Sequence, residues 1–65
     1  MITSNVRKIM EDRGITIREM VAKAGLSDKT ILRARCSRIN ECRVYTLEAI
    51  AKILECKVKD LFEES

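Results

Sequence analysis

The chain has 65 residues, of which 46% are apolar and only 3% aromatic, and its net charge is +3. A chain of this length buries only about 60% of its unfolded surface, so it forms one small aliphatic core with no room for a large catalytic cleft. It has no histidine, no glycine-rich phosphate loop and no nucleophile beside a base, so we do not expect an enzyme. We expect a single all-α domain over residues 1–65 that needs no cofactor.

The first helix is predicted over residues 4–13, where apolar residues recur at helical spacing. Ser4 is the expected N-cap, because a serine oxygen can accept a hydrogen bond from a backbone N–H of the first turn. Gly14 follows the last periodic residue and ends the helix, since glycine adopts a left-handed backbone without steric cost. The inward face of this helix carries Val6, Ile9 and Met10.

The second helix is predicted to follow Thr16, which forms a capping box with Glu19 three residues later. Gly25 ends this helix in the same way as Gly14 ends the first. Its apolar stripe, at positions i, i+3 and i+4, consists of Ile17, Met20 and Val21.

A third helix is predicted from residue 28 to about residue 35 or 36, with Ser27 as its N-cap. Only residues 25–27 separate it from the second helix, so the two must cross at a steep angle. Ile31 and Ala34 then face the core. The residues left facing outward are Asp28, Lys29, Thr30, Leu32 and Arg33. This arrangement is a helix-turn-helix, whose second helix can enter the major groove of DNA.

The remainder is predicted as a loop over residues 37–43, a fourth helix over residues 44–55 and a fifth over residues 58–64. The apolar residues of the fourth helix recur at i, i+3, i+4 and i+7, and they are Leu47, Ile50, Ala51 and Leu54. Those that share one side of the fifth helix are Val58, Leu61 and Phe62.

The segment MVAKAGLSDKTI resembles the turn of the phage-repressor (Cro-type, or xenobiotic-response-element) helix-turn-helix family. The residues that carry this resemblance are Met20, Val21, Gly25, Leu26, Ser27, Thr30 and Ile31. The segments TLEAIAKIL and VKDLF are similar to the fourth and fifth helices of the family. The resemblance therefore implies a compact five-helix, lambda-repressor-like DNA-binding domain.

Basic residues are concentrated on and just after the helix-turn-helix. Residues 13–43 contain eight Lys and Arg against three Asp and Glu, a net charge of +5, whereas residues 44–65 contain three against five, a net charge of −2. Such an asymmetry is typical of a surface that faces phosphates, although an ordinary solvated helical surface can have the same composition. Together with the predicted turn, it favours nucleic-acid binding.

Lys29 and Arg33 are the strongest candidates for base reading, because arginine can donate two hydrogen bonds to guanine O6 and N7 and lysine can approach the same atoms. Thr30 can contact a thymine methyl group or a phosphate. Asp28 can accept from cytosine N4 or simply interact with the positive end of the helix dipole, and we favour the dipole. Leu32 can meet a thymine methyl group, but partial burial is the more conservative interpretation.

The predicted phosphate contacts are Arg18, Arg38 and Arg43, together with Ser27 at the start of the third helix. The resemblance implies that Arg18 lies close to the family's phosphate contact and that Arg38 and Arg43 lie along the other flank of the groove. For each arginine the alternative is a solvated charge. Ile17 stands where the family usually has a glutamine that contacts DNA, so that contact is expected to be lost.

The resemblance also implies a missing ion pair. The family often has arginine in its first helix and glutamate at the end of its third, and here those places hold Met10 and Arg35. Removing both partners avoids a buried unpaired charge, which would be costly. Three alternatives are open for Arg35: a contact with DNA, an ion pair with Glu11 or Glu41, or exposure to solvent.

The expected partner is double-stranded DNA. One such domain contacts only a short half-site, so we also expect a homodimer on a palindromic operator. The interface is predicted to include Tyr45, Leu61 and Phe62. For Leu61 and Phe62 the alternative is closure of the core.

Two functions remain open at this point. The first is a sequence-specific DNA-binding transcriptional regulator that acts as a repressor. The second is an antitoxin or protein-interaction module of a toxin–antitoxin pair, in which a partner protein is the main target and DNA binding is secondary.

Cys36, Cys42 and Cys56 are expected to be reduced in a cytoplasmic protein. Their odd number argues against a disulfide scaffold, and the lack of histidine argues against a zinc site. Redox sensing by Cys36 and Cys42 is the alternative. No apolar run approaches the roughly 20 residues needed to span a bilayer, so no membrane association is expected.

Overall fold

The computed structural model describes residues 1–64 and contains four α-helices, two 3₁₀ turns and two short strands. The α-helices are α1 (Val6–Arg13), α2 (Ile17–Ala24), α3 (Asp28–Ala34) and α4 (Val44–Leu54). The 3₁₀ turns, hereafter the 37–41 turn and the 58–61 turn, cover Ser37–Glu41 and Val58–Leu61. The strands are β1 (Ile2–Ser4) and β2 (Phe62–Glu64). Four of the five predicted helices are therefore confirmed and the domain is mostly helical, but the all-α class holds only in part because a small two-stranded sheet is present.

The two strands join the ends of the described chain in an antiparallel pair. Ile2 lies opposite Glu64, and Ser4 lies opposite Phe62. The pairing continues into the first helix, because the Asn5 N–H donates to the Leu61 carbonyl at 2.8 Å. Backbone N–H and carbonyl groups near the two ends of the described chain thus hydrogen-bond to each other. A helix at the C-terminal end would leave the backbone groups of residues 2–4 without these partners.

The predicted fifth helix is replaced by the 58–61 turn and β2. The turn begins with the Lys57 N–H donating to the Asp60 carboxylate at 3.0 Å. Phe62 then adopts an extended backbone, with φ −152° and ψ 161°. Leu61 is nevertheless fully buried. The apolar spacing at this end therefore correctly indicated a buried side, but a single 3₁₀ turn is enough to produce it.

Ser4 has a different role from the predicted N-cap. The helix begins at Val6, and its capping position is Asn5, whose side chain makes no capping bond. The Ser4 hydroxyl instead donates to the Ala34 carbonyl at the end of α3, and it accepts from the Val6 N–H at 3.2 Å. Ser4 thus connects the first strand to the end of the third helix.

The capping box at the start of α2 and the glycine ends of α1 and α2 are confirmed, whereas α3 and α4 end earlier than predicted. Thr16 and Glu19 form the capping box, with the Glu19 N–H donating to Thr16 Oγ1 at 3.1 Å and the Thr16 N–H donating to Glu19 Oε1 at 3.2 Å. Gly14 and Gly25 end α1 and α2 with φ values of 66° and 68°. The fourth helix ends one residue earlier than predicted, at Leu54, because Glu55 adopts a left-handed backbone with φ 56°.

The core is aliphatic, as the composition predicted. Its buried members come from every helix and from both 3₁₀ turns, and they are Val6, Met10, Met20, Ile31, Ala34, Ile39, Leu47, Ile50, Ala51, Leu54 and Leu61. The segment predicted as a loop contains the 37–41 turn, which the buried side chain of Ile39 fixes to the core. Among the helices of residues 1–64, none has the length and apolarity to cross a bilayer.

Candidate nucleic-acid interface

The turn between α2 and α3 is built from three residues with distinct roles. Gly25 supplies the left-handed backbone, and its N–H donates to the Val21 carbonyl at 3.0 Å. Leu26 is half-buried against the core. Ser27 caps α3, as predicted, because its Oγ accepts from the Thr30 N–H at 3.2 Å. The end of α2 and the start of α3 are therefore both closed by well-defined hydrogen bonds, which fix the direction of α3.

α3 presents one face to the core and the opposite face to solvent. Ile31 and Ala34 have no exposed surface. Asp28 and Lys29 are exposed, and Leu32 is 50% exposed. Thr30 and Arg33, three residues apart and so on the same side of the helix, are half-buried. The five residues predicted to face outward are thus all accessible to some extent.

A shallow depression of about 280 Å³ lies between α3 and the 37–41 turn. Its lining consists of Lys29, Leu32, Arg33, Cys36 and Arg38. The structure therefore brings both predicted base-reading cations together with one predicted phosphate contact. Sequence reasoning did not place Cys36 in this group, since a cysteine after a helix carries no signal for such a position.

The Arg33 guanidinium has no partner among residues 1–64. Its Nε is buried without a hydrogen bond. Its backbone carbonyl accepts from the Cys36 thiol at 3.3 Å. The guanidinium of Arg33 is therefore not held by any acceptor within residues 1–64, and its Nε is itself shielded from solvent.

Asp28 makes a local contact at the start of α3. Its Oδ1 accepts from the Lys29 N–H at 2.9 Å. The carboxylate lies in the first turn, where it interacts favourably with the positive end of the helix dipole. This geometry agrees with the dipole role that we favoured.

The candidate phosphate contacts outside the depression lie at the beginnings of helices. Arg18 is exposed in the first turn of α2, and Ser27 is exposed at the N-cap of α3. Arg43 is exposed at the N-cap position of α4, where its side chain makes no capping bond. Ile17 is half-buried against the core.

Arg38 forms a two-bond ion pair with Glu41. The Nε of Arg38 donates to Oε2 of Glu41 at 3.0 Å, and its Nη2 donates to Oε1 at 3.1 Å. This pair lowers the pKa of Glu41 and raises that of Arg38, chiefly through the side-chain hydrogen bonds. The prediction treated Arg38 as an unpaired cation. The i, i+3 spacing of the two residues was the signal for the pair, but the segment was taken as a loop.

Arg35 forms neither of the ion pairs that were considered. Glu41 is engaged by Arg38, and Glu11 lies 3.8 Å from Arg7 on its own helix. Arg35 is half-buried at the C-cap of α3, and its Nε has no hydrogen-bond partner within residues 1–64. Met10, its counterpart in the missing ion pair, is fully buried in the core.

The residues predicted for a dimer interface differ in exposure and in position. Leu61 is fully buried, so core closure is its role. Phe62 is half-buried in a depression that it shares with Ile2 and Leu47, among others. Tyr45 is 66% exposed and lies in a different depression along α4.

All three cysteines are free thiols. Cys36 is exposed, whereas Cys42 and Cys56 are partly buried. Burial raises the pKa of both Cys42 and Cys56. Cys36 and Cys42 flank the 37–41 turn. The Ile39 N–H donates to the Cys36 carbonyl, and the Cys42 N–H donates to the Ile39 carbonyl.

A comparison with protein families supplies the identity of this fold. The profile of the Cro/C1-type helix-turn-helix DNA-binding domain matches residues 5–64. The chain belongs to this family. A search among curated proteins finds no match to the chain.

The Cro/C1-type match confirms the resemblance predicted from the sequence. It spans all four α-helices and β2, and it begins just after β1. DNA binding is the function of this family's domain, and α2, the Gly25–Ser27 connection and α3 have the arrangement predicted for its helix-turn-helix. Members of this family are typically not enzymes.

Proposed function

We propose that the chain is a sequence-specific transcriptional repressor that acts in the cytoplasm as one domain over residues 1–65. The observation that carries this proposal is the two-sided character of α3. Ile31 and Ala34 fix the helix to the core, while Lys29 and Arg33 remain on the side that faces away from it. A helix held in this way can enter the major groove without rearrangement of the fold.

Lys29 and Arg33 read bases in this proposal. The unpaired guanidinium of Arg33 donates two hydrogen bonds to guanine O6 and N7, and the ammonium of Lys29 approaches a neighbouring base. The half-exposed side chain of Leu32 meets a thymine methyl group. Thr30 and Asp28 complete the contacting face at the start of the helix.

Phosphates on both flanks of the groove fix the position of α3. Arg18 and Ser27 bind the backbone on one flank, and Arg38 in the 37–41 turn and Arg43 just after it bind it on the other. The N–H groups at the starts of α2 and α4 point in the direction that favours anions. Arg35 contributes through the accessible part of its half-buried side chain, since its Nε is buried. Such contacts set register and affinity but carry no sequence information.

Dimerisation completes the proposal, because one domain reads only a short half-site. Two copies on a palindromic operator would place their α3 helices about 34–36 Å apart. Tyr45 and Phe62 remain the candidates for the interface, and Leu61 is withdrawn because it is buried. Sedimentation with and without DNA tests this step, and a monomer under both conditions would refute it.

A toxin-like partner protein is the second candidate. Val44 and Tyr45, two adjacent apolar residues at the start of α4, are each 66% exposed. Exposed large apolar side chains side by side are more typical of an interface than scattered ones. A Val44→Ser, Tyr45→Ser double variant that keeps full repression but loses binding to a partner encoded beside the gene would support this role.

The decisive experiment compares three single variants on a selected duplex and a random duplex at several salt concentrations. Arg33→Ala should cost about 1–3 kcal/mol on the selected duplex and little on the random one. Arg43→Ala should weaken both equally and lower the salt slope by about 0.9. Lys52→Ala, which removes an exposed cation late in α4, is the control and should change little.

Equal losses on the two duplexes for Arg33→Ala would contradict its base-reading role. A Lys52→Ala loss as large as that of Arg43→Ala would show that only the overall charge matters.

A further inference from the structure

We infer that Glu41 competes with the DNA backbone for Arg38, so that this carboxylate limits the sequence-independent part of the affinity. The inference rests on the proposed function, in which the 37–41 turn lies beside a DNA strand. It adds Glu41 as a residue that weakens DNA binding. The observations that carry it are the geometry of the ion pair, the rigidity of the turn and the charges around it.

The geometry matters because a carboxylate and a phosphate use the same donors. Glu41 occupies the Nε and Nη2 edge of the Arg38 guanidinium, with two bonds of 3.0 and 3.1 Å. This fork is the arrangement by which arginine also recognises phosphate. A phosphate on that edge must displace the carboxylate, and a phosphate on the opposite edge must lie close to its negative charge.

The turn keeps Glu41 on the same side as Arg38. Ile39, which lies between them in the sequence, is buried in the core. Its N–H donates to the Cys36 carbonyl, and its carbonyl accepts from the Cys42 N–H, both at 3.0 Å. Residues three apart in a 3₁₀ turn are eclipsed, so the two charged side chains lie one above the other. Separating their backbone positions would require the anchored turn to unwind.

The surrounding charges place this acid beside the candidate DNA-binding surface. Arg38 lines the same depression as Lys29 and Arg33, and no acidic side chain lines that depression. Arg33 is also close enough to Glu41 to lower the pKa of its carboxyl group. Glu41 is therefore positioned to reduce the positive potential that phosphates encounter there.

The expected effect is moderate, because the pair is exposed. The side chains of Arg38 and Glu41 retain 61% and 50% of their accessible surface. Exposed ion pairs are weak, so releasing Arg38 should strengthen binding less than about fivefold. Removing the repulsion between the carboxylate and a nearby phosphate adds no more than about twofold after screening. Glu41→Gln should therefore tighten binding by about three- to tenfold.

The test titrates Glu41→Gln against the selected and random duplexes at several salt concentrations. The gain should be the same on both duplexes, because a phosphate contact carries no sequence information. Glu11→Gln is the matched control, since it removes the same charge from another exposed pair, with Arg7 on α1. It should tighten binding by less than about twofold, as a distant screened charge does. Thermal unfolding of both variants checks that the fold is unchanged.

A double-variant cycle separates competition from a general effect of charge. In the Arg38→Ala background, Glu41→Gln should gain no more than about twofold, because there is no guanidinium left to release. An equal gain in both backgrounds would overturn the inference. Weaker binding by Glu41→Gln alone would overturn it as well, because it would show that the carboxylate positions Arg38 for DNA.

The Arg38→Ala variant alone distinguishes failure of this inference from failure of the proposed function. If Arg38→Ala leaves affinity unchanged while Arg33→Ala and Arg43→Ala weaken binding, Glu41 has no competitor role but α3 still binds DNA. If all three arginine variants bind like the unmodified chain, the proposed interface itself is wrong.

Discussion

Replacing Ile31 and Leu32 separately provides a sharp test of how α3 is oriented. The two residues are neighbours in the sequence, but Ile31 has no exposed surface and Leu32 is 50% exposed. Ile31→Ala should therefore destabilise the fold, whereas Leu32→Ala should affect DNA binding and leave stability nearly unchanged. The pair uses similar chemistry at adjacent positions, so each variant is a control for the other.

The magnitudes follow from burial. Truncating a fully buried isoleucine to alanine costs about 2–5 kcal/mol, because transfer free energy is lost and a cavity remains. A native chain of this length has a free energy of unfolding of about 3–10 kcal/mol. Ile31→Ala should thus remove a large part of the stability. Leu32 loses only the buried half of its side chain, which is worth less than about 1 kcal/mol, and alanine is a slightly better helix former.

Urea unfolding followed by circular dichroism at equilibrium measures both values. We expect Ile31→Ala to have a much lower urea midpoint and Leu32→Ala to remain close to the unmodified chain. Equal destabilisation by the two variants would refute the orientation of α3, and with it the identity of the face that meets DNA.

Three further predictions concern the helix ends and the thiols. Thr16→Ala should lower the free energy of unfolding by about 1 kcal/mol, because it breaks the capping box, and urea unfolding would show no change if that box were unimportant. Glu55→Gly should raise it by about 0.5–1 kcal/mol, since Glu55 has φ 56° and glycine adopts this backbone freely. Iodoacetamide at pH 8 should modify exposed Cys36 before Cys42, whose raised pKa leaves less thiolate, and the rate at Cys42 should increase as the pH rises. Peptide mapping by mass spectrometry checks this order, and faster reaction at Cys42 would contradict it.

The helix-turn-helix could be predicted because its signals are local. These signals join residues only a few positions apart in the sequence. They are the helical spacing of apolar residues, the Thr16–Glu19 pair and Gly25. Each was found in the structure as expected. The end of α4 shows the limit of such signals, because Glu55 adopts the left-handed backbone without the glycine that normally marks it.

The small sheet could not be predicted, because its two strands are three residues each and lie at opposite ends of the described chain. Neither strand has a repeating pattern long enough to recognise. The apolar spacing at this end is compatible both with a helix and with a turn followed by a strand. The residues that set this spacing are Val58, Leu61 and Phe62. Pairing with residues 2–4 decides between these, and it is a long-range interaction.

At the candidate interface, the sequence indicated which residues are charged but not how they are paired. The outward position of Lys29 followed from the helical period. The bond between Arg38 and Glu41 depends on a 3₁₀ turn that has no apolar periodicity, and Ile39 is its only buried residue. The state of Arg35 depends on whether an acidic side chain from another element forms an ion pair with it, and within residues 1–64 none does.

Methylation protection on a duplex selected from random DNA tests the central claim most directly. Dimethyl sulfate modifies guanine at N7 in the major groove and adenine at N3 in the minor groove. We predict that the chain protects guanine N7 within its site and that Arg33→Ala restores methylation at one of these guanines. Protection of adenine N3 alone, with guanine N7 fully reactive throughout the site, would contradict the placement of α3 in the major groove.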